Sequence, residues 1–508
     1  MNNARKPKLL GIAASLRNAR WGIGNDKLLS SLKEIATKEE LFEFLKVESE
    51  LHLENFLQAG RKEGKDFLEI YDHLRKNKGD KGLSNSEVAL AAALWAALKF
   101  GVELDHLSLS EHFLATGQIR NLDKLKEKLI SADGLLLSGP VYFGDRGSLA
   151  QSLQDLIRQD HDLREHLHGK LYAGIAVGAK RNGGQETTLI YQMLDMIHAG
   201  LLALGNDSDT TAQYGGTGHA GDIGTMHKDT YGLDTSMGTG RRIGSLLQKL
   251  SHRRELDGNP KVLFLILQDR AGEALLRTQQ LIAQAGVPID ATFIDIVNKK
   301  ILRCLACDIC PTHIDVDENY RCIISSSKDD MKNLHEDMLH QDAIVPVVLS
   351  AIDASEVVNN YQTFIERTRY LRRGDYMLGN TLVAPLIFEE LGSRENYAVR
   401  MMTSMIRHHT VMAQPMIAHI LDGRILNEGQ MKAEFAQFAH WASDIAAARL
   451  TEFMDDAVTK YNPVGYVLSS NKDAEDEKLL KRAKMIEERR GRNVADADAR
   501  LKKKVPIE

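Results

Sequence analysis

Short apolar runs alternate with longer amphipathic stretches through most of the chain. The runs that begin at Lys8, Ala132 and Lys170 are almost continuously apolar, which is typical of strands buried on both faces of a parallel sheet. A further strand is predicted from Val102. Because helical stretches separate these strands, the pattern indicates a doubly wound α/β fold.

Helical spacing of apolar residues predicts the intervening elements. The helices expected in the first half are 88–101, 122–131, 147–159 and 190–205, the first of them with Ser84 or Asn85 as its N-cap. The glycine-rich stretch from Tyr214 to Gly240 predicts a loop, followed by a helix from Arg241.

The second half repeats the order of the first. The apolar run from Lys261 corresponds to the run from Lys8, and later strands and helices follow in the same sequence. The pattern therefore predicts two tandem α/β domains forming a pseudo-dimer, joined by a polar linker at 251–260. The expected boundaries are 1–250 with a helical insertion at about 26–80, 258–455, and a charged, helix-prone tail at 456–508.

Composition excludes several classes of protein. The 508 residues are 43% hydrophobic and 27% charged, with a net charge of −5, which is ordinary for a globular chain and gives no basic footprint for nucleic acid. The sequence contains no apolar run of membrane-spanning length, and its start does not have the pattern of a signal peptide. We therefore expect a cytoplasmic protein that binds neither membranes nor nucleic acid.

All four cysteines of the chain lie close together, with the spacing C-x2-C-x2-C-x11-C. Two-residue gaps let thiolates converge on one centre, and the first three, followed by a proline, resemble the opening of bacterial ferredoxin motifs. A [4Fe–4S] cluster is favoured over a zinc site or redox-active thiols, which stay as alternatives. The long last gap also leaves Asp308, His313 and Asp315 as substitutes for the fourth ligand. The predicted metal ligands are Cys304, Cys307, Cys310 and Cys322.

Three loop segments of the first half occur in the order found in one enzyme family. A strand ends at Ser15 and Arg17, an Asn85-Ser86 pair opens a helix, and strand exits follow at 132–144 and 183–189. This order resembles the flavodoxin-fold NADPH-dependent FMN reductases, and in particular their iron–sulfur flavoprotein branch. The resemblance implies two flavodoxin-like domains of three α/β/α layers.

The resemblance also implies which residues bind FMN. Ser15, Arg17, Asn85 and Ser86 correspond to the phosphate loop, although residues 26–80 interrupt it here. The loop beside the isoalloxazine ring corresponds to Pro140, Val141, Tyr142, Phe143 and Gly144. The third flavin loop corresponds to Asn182, Gly183, Gly184 and Gln185. Physical reasoning agrees, because phosphate needs hydroxyls, an arginine fork and a helix N-terminus, and open α/β sheets bind ligands at the carboxyl ends of their strands.

Each half of the sequence retains the residues expected for a different redox site. The second half lacks counterparts of the flavin loops but carries the cysteines, whereas the first half has the flavin loops and no cysteine. Because family members bring the FMN of one subunit near the cluster of a neighbour, we expect FMN in the first half facing a cluster in the second. The sequence does not exclude a second flavin.

The resulting functional prediction is an FMN-dependent oxidoreductase that passes electrons between NAD(P)H or a ferredoxin-like donor, FMN and the cluster. No side chain stands out as an acid–base catalyst. The alternatives are an electron carrier that docks on a partner redox enzyme, or a zinc-stapled structural protein of flavodoxin-like fold. Expected partners are a redox protein or a small-molecule acceptor, and a homo-oligomer is expected.

Other polar candidates are weaker. His408 and His409 do not share a helix face, which disfavours a metal site. His219 and His227 are candidates for contact with flavin or substrate. A basic patch is expected to be a solvated face rather than a site for the NADPH phosphate; it comprises Arg367, Arg369, Arg372 and Arg373.

Overall fold

The structure is a computed structural model of the 508-residue chain. It describes residues 5–16, 19–20, 23–60, 66, 69, 76–77, 82–207, 212–306, 324, 329–339, 341–373 and 376–451. The predicted tail at 456–508 and much of 61–81 lie outside this set. The chain divides into two compact units, Met1–His252 (unit 1) and Arg253–Glu508 (unit 2).

The strands of unit 1 are β1 (Lys8–Ala13), β2 (Ala19–Arg20), β3 (Lys76–Asn77), β4 (Glu103–Ser108), β5 (Gly134–Tyr142), β6 (Asp145–Arg146), β7 (Leu171–Gly178), β8 (Leu202–Ala203) and β9 (Gly216–His219). Its helices are α1 (Ile23–Glu34), α2 (Lys38–Gly60), α3 (Asn85–Leu98), α4 (Leu109–His112), α5 (Leu122–Ser131), α6 (Ser148–Gln159), α7 (His161–Leu167), α8 (Gln185–His198) and α9 (Thr230–Leu250), with a 3-10 turn at Met226–Lys228 before α9.

The main sheet of unit 1 is parallel. Strand β1 pairs with β4 on one side and β5 on the other, β5 pairs with β7, and β7 pairs with both β8 and β9. Numbered along the chain, with β8 and β9 sharing the last position, the order is 2-1-3-4-5, which is that of flavodoxin. Strand β7 is buried at every position, as its continuous apolar run predicts.

The glycine-rich stretch before residue 240 is not one long loop, and the prediction of a loop over 214–240 was wrong. Gly216–His219 forms a strand, and α9 starts at Thr230 instead of Arg241. The glycines serve helix packing: a methyl group on Gly240 would overlap the backbone carbonyl of Ala93, and one on Gly244 would lie 3.1 Å from Ala97 Cα. Glycine here lets α9 and α3 touch backbone to backbone.

The helix predicted over 190–205 also needs correction. Helix α8 begins earlier, at Gln185, and ends at His198. Gly200 then adopts a left-handed backbone conformation (φ +89°), and Leu202–Ala203 pairs in parallel with Leu171 and Tyr172. The residues after His198 are almost all apolar. Because such a run has neither helical nor strand periodicity, the sequence does not show where the helix ends and the buried strand begins.

The insertion predicted at 26–80 is mainly helical where the structure describes it, with the short strand β3 near its end. Helices α1 and α2 belong to unit 1 and are held to α3 by backbone acceptors: Trp95 donates from Nε1 to the carbonyl of Ile35 at 2.9 Å, and the amide of Leu83 donates to the carbonyl of Glu48 at 3.0 Å. These bonds fix α2 beside the chain segment that leads into α3.

The strands of unit 2 are β10 (Lys261–Asp269), β11 (Asp290–Asp295), β12 (Ala343–Ser350), β13 (Val358–Asn359), β14 (Leu382–Val383), β15 (Leu386–Glu390), β16 (Val411–Met412), β17 (Met416–Leu421) and β18 (Arg424–Ile425). Its helices are α10 (Glu273–Ala285), α11 (Met331–Met338), α12 (Tyr361–Arg367), α13 (Arg369–Arg373), α14 (Tyr397–Met405) and α15 (Glu428–Ala447), with a 3-10 turn at Ile406–His408.

Unit 2 has the same strand order by itself. Strand β10 pairs in parallel with β11 and β12, β12 pairs with β14 and β15, and these pair with β16 and β17 respectively. The order is again 2-1-3-4-5, with short antiparallel additions at β13 and β18. The predicted flavodoxin-like α/β fold is confirmed. Among the described residues, no helix combines the length and apolar character needed to cross a membrane.

Candidate functional site

The carboxyl edge of the parallel sheet in unit 1 brings together the predicted flavin segments. Ser15 follows β1, the segment 140–144 comprises the end of β5 and the turn after it, and Asn182 lies in the loop after β7. This edge is where open α/β sheets bind ligands. Ser15 is buried, with 8% of its surface exposed. Arg17, the predicted partner of a phosphate, lies outside the described residues.

The segment beside β5 is a tight hairpin. Val141 pairs with Arg146 and Tyr142 with Asp145, so Phe143 and Gly144 form a two-residue turn. Both turn residues have left-handed backbone angles (φ +53° and +79°), as a type I′ turn requires, and a non-glycine residue there is unusual. The hairpin presents two aromatic side chains to solvent, because Tyr142 is 54% exposed and Phe143 is fully exposed.

The hairpin and the loop after β7 meet through two glycines. A methyl group on Gly184 would lie 2.6 Å from Gly144 Cα, closer than any side chain can approach. Gly184 also has φ +101° and is the residue immediately before α8. Only glycine therefore allows these two loops to approach each other so closely.

Gln185 fixes the same corner from inside. Its Nε2 donates to the carbonyls of Lys180 at 2.8 Å and Gly218 at 3.0 Å, tying the start of α8 to its own loop and to β9. Its Oε1 is buried and has no hydrogen-bond partner among the described residues. The amide nitrogen of Gln185 therefore stabilises the loop, while its amide oxygen accepts no hydrogen bond from the described residues.

The N-terminus of α3 lies at the same edge. The carboxylate of Glu87 accepts the amide (3.0 Å) and the hydroxyl (2.9 Å) of Ser84, so the predicted start of this helix is confirmed. Ser86 is buried, and its carbonyl accepts the hydroxyl of Ser138 at 2.7 Å, which joins the helix start to the end region of β5.

Asn85 connects α3 to a fourth loop, residues 220–225, which lies between the weaker candidates His219 and His227. Its Nδ2 donates to the carbonyl of Asp222 at 2.9 Å, and its Oδ1 accepts the amide of Met226 at 3.2 Å. The amide of this predicted phosphate ligand is therefore committed to holding the loop after β9.

An arginine–aspartate pair fixes the beginning and the end of this fourth loop. Asp229 is 2% exposed; it pairs with Arg181 and accepts the amide of His219 at 2.6 Å. Arg181 also donates to the carbonyl of Thr217 at 3.3 Å and lies 4.7 Å from the ring of Tyr231. The sequence offered one signal for Arg181, its position next to Asn182 in a strand-exit loop.

Helix α2 of the insertion packs on the same fourth loop. A methyl group on Gly224 would lie 2.7 Å from the carbonyl oxygen of Ser49 and 3.0 Å from Leu53 Cβ. The insertion thus supports the loop that follows β9, in addition to the segment leading into α3.

Unit 2 fills the equivalent edge with its own charges. The carboxylate of Asp269, at the end of β10, accepts the amide of Ala274 in the first turn of α10 at 2.8 Å. Arg270 next to it pairs with Glu273 at 2.8 Å and Glu390 at 2.6 Å. An internal carboxylate therefore occupies the helix N-terminus that would otherwise attract a phosphate.

Of the predicted metal ligands, the structure describes Cys304, and the other three cysteines lie outside the described residues. The amide of Ala306 donates to Cys304 Sγ at 3.5 Å, and Ala306 has a left-handed backbone angle of φ +48°. This contact fixes the backbone turn that directly follows the first predicted ligand. The described residues include no group of three or more metal-binding side chains.

Comparison with known proteins assigns the family. The sequence model described as NADPH-dependent FMN reductase matches residues 77–204, starting at the end of the predicted insertion. An iron–sulfur flavoprotein of Methanocaldococcus jannaschii is 33% identical over 181 residues, covering 32% of this chain and 91% of the relative. The chain belongs to the iron–sulfur flavoprotein family.

A second family member, from Methanosarcina thermophila, is 29% identical over 190 residues and is covered over 92% of its length, against 34% of this chain. Among solved structures, a WrbA-like flavodoxin from Agrobacterium tumefaciens aligns with 32% of this chain and 88% of its own, at 17% identity and a TM-score of 0.24. The strand order of each unit, described above, establishes the fold of this iron–sulfur flavoprotein family member.

Two weaker predictions have clear outcomes. The rings of His408 and His409 have different partners: His408 Nε2 contacts Thr368 Oγ1 at 3.0 Å, and His409 stacks on Tyr376. The expectation that Arg367 belongs to a solvated face was wrong, because this residue is 2% exposed and pairs with Asp329.

Proposed function

We propose that the chain is an FMN-dependent oxidoreductase that holds FMN in unit 1 and a [4Fe–4S] cluster on the four cysteines of unit 2. The observation that carries the proposal is the meeting of two loops, through Gly144 and Gly184, at the carboxyl edge of the parallel sheet in unit 1. Family membership supports the same conclusion. NAD(P)H or a ferredoxin-like protein would supply electrons, and a redox protein or small molecule would accept them.

The residues of unit 1 suit the two ends of FMN. Ser15, Arg17 and Ser86 would bind the phosphate, and Asn85, whose side chain holds the loop after β9, would contribute only through the N-terminus of α3, which favours negative charge. The segments 140–144 and 182–185 would bind the ring, because glycine at positions 144 and 184 brings backbone within reach of a flat ligand. Tyr142 offers an aromatic face, being half exposed on the hairpin.

The donor set of unit 2 suits an iron–sulfur cluster. Four thiolates at 304, 307, 310 and 322 satisfy the requirement of a [4Fe–4S] cluster for four cysteine ligands. The amide of Ala306 would donate to the sulfur of one of these ligands, the kind of second-shell contact that accompanies metal-bound thiolates. Together the two groups would supply the conversion of a two-electron hydride donor into single-electron transfers.

One FMN per chain is proposed, since the described residues at the corresponding edge of unit 2 are occupied by their own charges. Asp269 already places a carboxylate on the N-terminus of α10, and Arg270 is engaged by two glutamates. A phosphate bound there would be repelled by the carboxylate of Asp269, which carries charge of the same sign.

The test is the content of flavin, iron, sulfide and zinc in the anaerobically purified full-length chain. We expect about one FMN, about four irons and about four sulfides per chain, with absorption near 400 nm on the order expected for iron–thiolate charge transfer. Zinc without iron would overturn the electron-transfer role and leave a zinc-stapled protein. The absence of flavin would overturn the assignment of unit 1.

A second measurement separates an enzyme from an electron carrier. NAD(P)H added anaerobically to the holoprotein should bleach the flavin absorption at a rate compatible with enzyme turnover. If dithionite bleaches it but NAD(P)H does not, the chain takes electrons from a protein donor and NAD(P)H is not its substrate.

A further inference from the structure

One buried guanidinium holds both ends of the cysteine segment, residues 304–322. Arg367, at the end of α12, donates from Nη1 to the carbonyl of Leu302 at 2.6 Å and from Nη2 to the carbonyl of Ile324 at 3.3 Å. In the sequence, Leu302 precedes Cys304 by two residues and Ile324 follows Cys322 by two. The same side chain therefore holds the two residues that flank the segment on either side.

Asp329 completes this contact from the far side of the segment. Its two carboxylate oxygens accept both Nη atoms of Arg367, at 2.9 and 2.8 Å, and Oδ1 also accepts the amide of Leu302 at 3.0 Å. The two side chains are 1% and 0% exposed. Burying an ion pair is costly unless its hydrogen bonds are well satisfied. Here the backbone of Leu302, before the cysteine segment, and of Ile324, after it, supplies partners.

Three further hydrogen bonds fix the same base. Glu366, next to Arg367, accepts the amide of Cys304 at 3.2 Å. Lys300 and Asp330 exchange two hydrogen bonds, amide to carboxylate at 2.7 Å and amide to carbonyl at 2.9 Å. The chain entering the cysteine segment is thus bound to α12 and to the chain leaving it, at positions within a few residues of the first thiol.

We propose that Arg367 and Asp329 are positioning residues for the metal centre, and that by closing the base of the segment they make Cys322 the fourth ligand. This inference rests on the proposed function. Joining the ends of a chain segment has an entropic cost that a bound metal must otherwise meet. With Leu302 and Ile324 held on one guanidinium, the two ends of the cysteine segment are joined before a metal binds. The alternatives at Asp308, His313 and Asp315 then have no advantage over a thiolate, which is the preferred ligand of iron–sulfur clusters.

The test replaces the ion pair without leaving a lone buried charge. R367M alone would strand the carboxylate of Asp329, so the variant is the double change R367M/D329L, which keeps the site filled and apolar. R270M is the control, since it removes an ion-paired arginine of unit 2 whose partners, Glu273 and Glu390, lie outside the cysteine segment in the sequence. The readouts on anaerobically purified full-length protein are iron, sulfide and FMN per chain, together with a urea unfolding curve.

The double variant should unfold at a urea concentration close to that of the unmodified chain and retain its FMN. Its affinity for the metal should fall about 10- to 100-fold, as when outer-shell partners of metal ligands are removed. R270M should keep its iron. A double variant that folds normally and keeps full iron and sulfide would overturn the proposal.

A second pair of variants decides the case if the double variant does not fold. E366L removes the acceptor of the Cys304 amide at a partly exposed position, and E366Q keeps an acceptor there. We expect E366L to lose iron to a chelator several-fold faster than E366Q. Equal rates would overturn the proposal.

Failure of the proposed function has a different signature, which is visible in the unmodified chain. Zinc in place of iron there would overturn electron transfer, and the positioning role would then require the double variant to lose zinc.

Discussion

A methyl group on Gly240 would overlap the carbonyl oxygen of Ala93, so helices α9 and α3 of unit 1 touch backbone to backbone. The obstructing atom belongs to a helix backbone and cannot rotate away. We therefore expect G240A to lower the free energy of unfolding by about 3 kcal/mol, the upper part of the range for overpacking. Urea unfolding of the full-length chain measures this change.

The control for G240A is G429A, at the start of helix α15. A methyl group on Gly429 meets no atom within 4 Å, so alanine should stabilise the helix by about 0.5–1 kcal/mol. If both substitutions gave the same small effect, close packing of α9 on α3 would be wrong.

The contact between Gly184 and Gly144 predicts an effect on flavin binding. In G184A the new methyl group must push the two loops apart and strain a backbone angle of φ +101°. We expect FMN affinity to fall at least about 10-fold, corresponding to about 1.4 kcal/mol. Flavin fluorescence titration of the apoprotein provides the measurement.

The comparison variant for G184A is G101A. Gly101 also has a left-handed backbone, at φ +72°, but its added methyl group has no neighbour within 4 Å. It reproduces the backbone strain without the clash, so FMN affinity should be unchanged. If FMN affinity fell equally in both variants, the effect of G184A would be due to general destabilisation and not to the contact between Gly184 and Gly144.

The side chain of Asn85 predicts a specific pattern of hydrogen exchange. N85A removes the acceptor of the Met226 amide, whereas N85D keeps an oxygen there and loses only the bond to the carbonyl of Asp222. The Met226 amide should exchange faster in N85A than in N85D, and N85A should lose about 1 kcal/mol of stability. Identical exchange in the two variants would show that the contact does not hold the loop.

Unit 2 should lose stability in mild acid because of His408. Burial, reinforced by Arg372 and Arg407, lowers the pKa of this imidazole to about 3 from its usual 6.5. Below pH 6.5 the unfolded chain binds a proton that the folded chain does not, so stability falls as the pH drops towards 3. The expected slope from this group approaches about 1.4 kcal/mol per pH unit.

Urea unfolding of the full-length chain between pH 7 and pH 5 checks this slope. H408Q removes the titrating group and should flatten the profile, while H440Q, at an exposed position of α15, should leave it unchanged. If H408Q and the unmodified chain had parallel profiles, another group would be responsible.

The sequence predicts the strands of this chain better than its glycine-rich helix. Continuous apolar runs locate β1, β5 and β7, because burial on both faces leaves no polar positions. The glycine-rich stretch 214–240 has the composition of a loop, yet Gly240 is a point where two helix backbones touch. This contact is visible only once the facing helix is known. Local composition cannot distinguish flexibility from close approach.

The candidate site was predictable in its segments and not in its connections. The loops after β1, β5 and β7 follow from strand ends, but the role of Asn85 depends on a loop about 140 positions later in the chain. Likewise Arg367 resembled a solvated basic patch in the sequence, since nothing local indicates that Asp329 and two carbonyls surround it. Long-range polar contacts of this kind leave no periodic pattern.

The carboxylate that Asp269 places on helix α10 has a consequence for how the chain matures. A helix start that relies on a bound phosphate is complete only when the cofactor is in supply, whereas this one carries its own anion from synthesis. That edge of unit 2 can therefore form on a chain made under flavin starvation, and under the proposed assignment of FMN to unit 1, riboflavin status should affect the maturation of that unit.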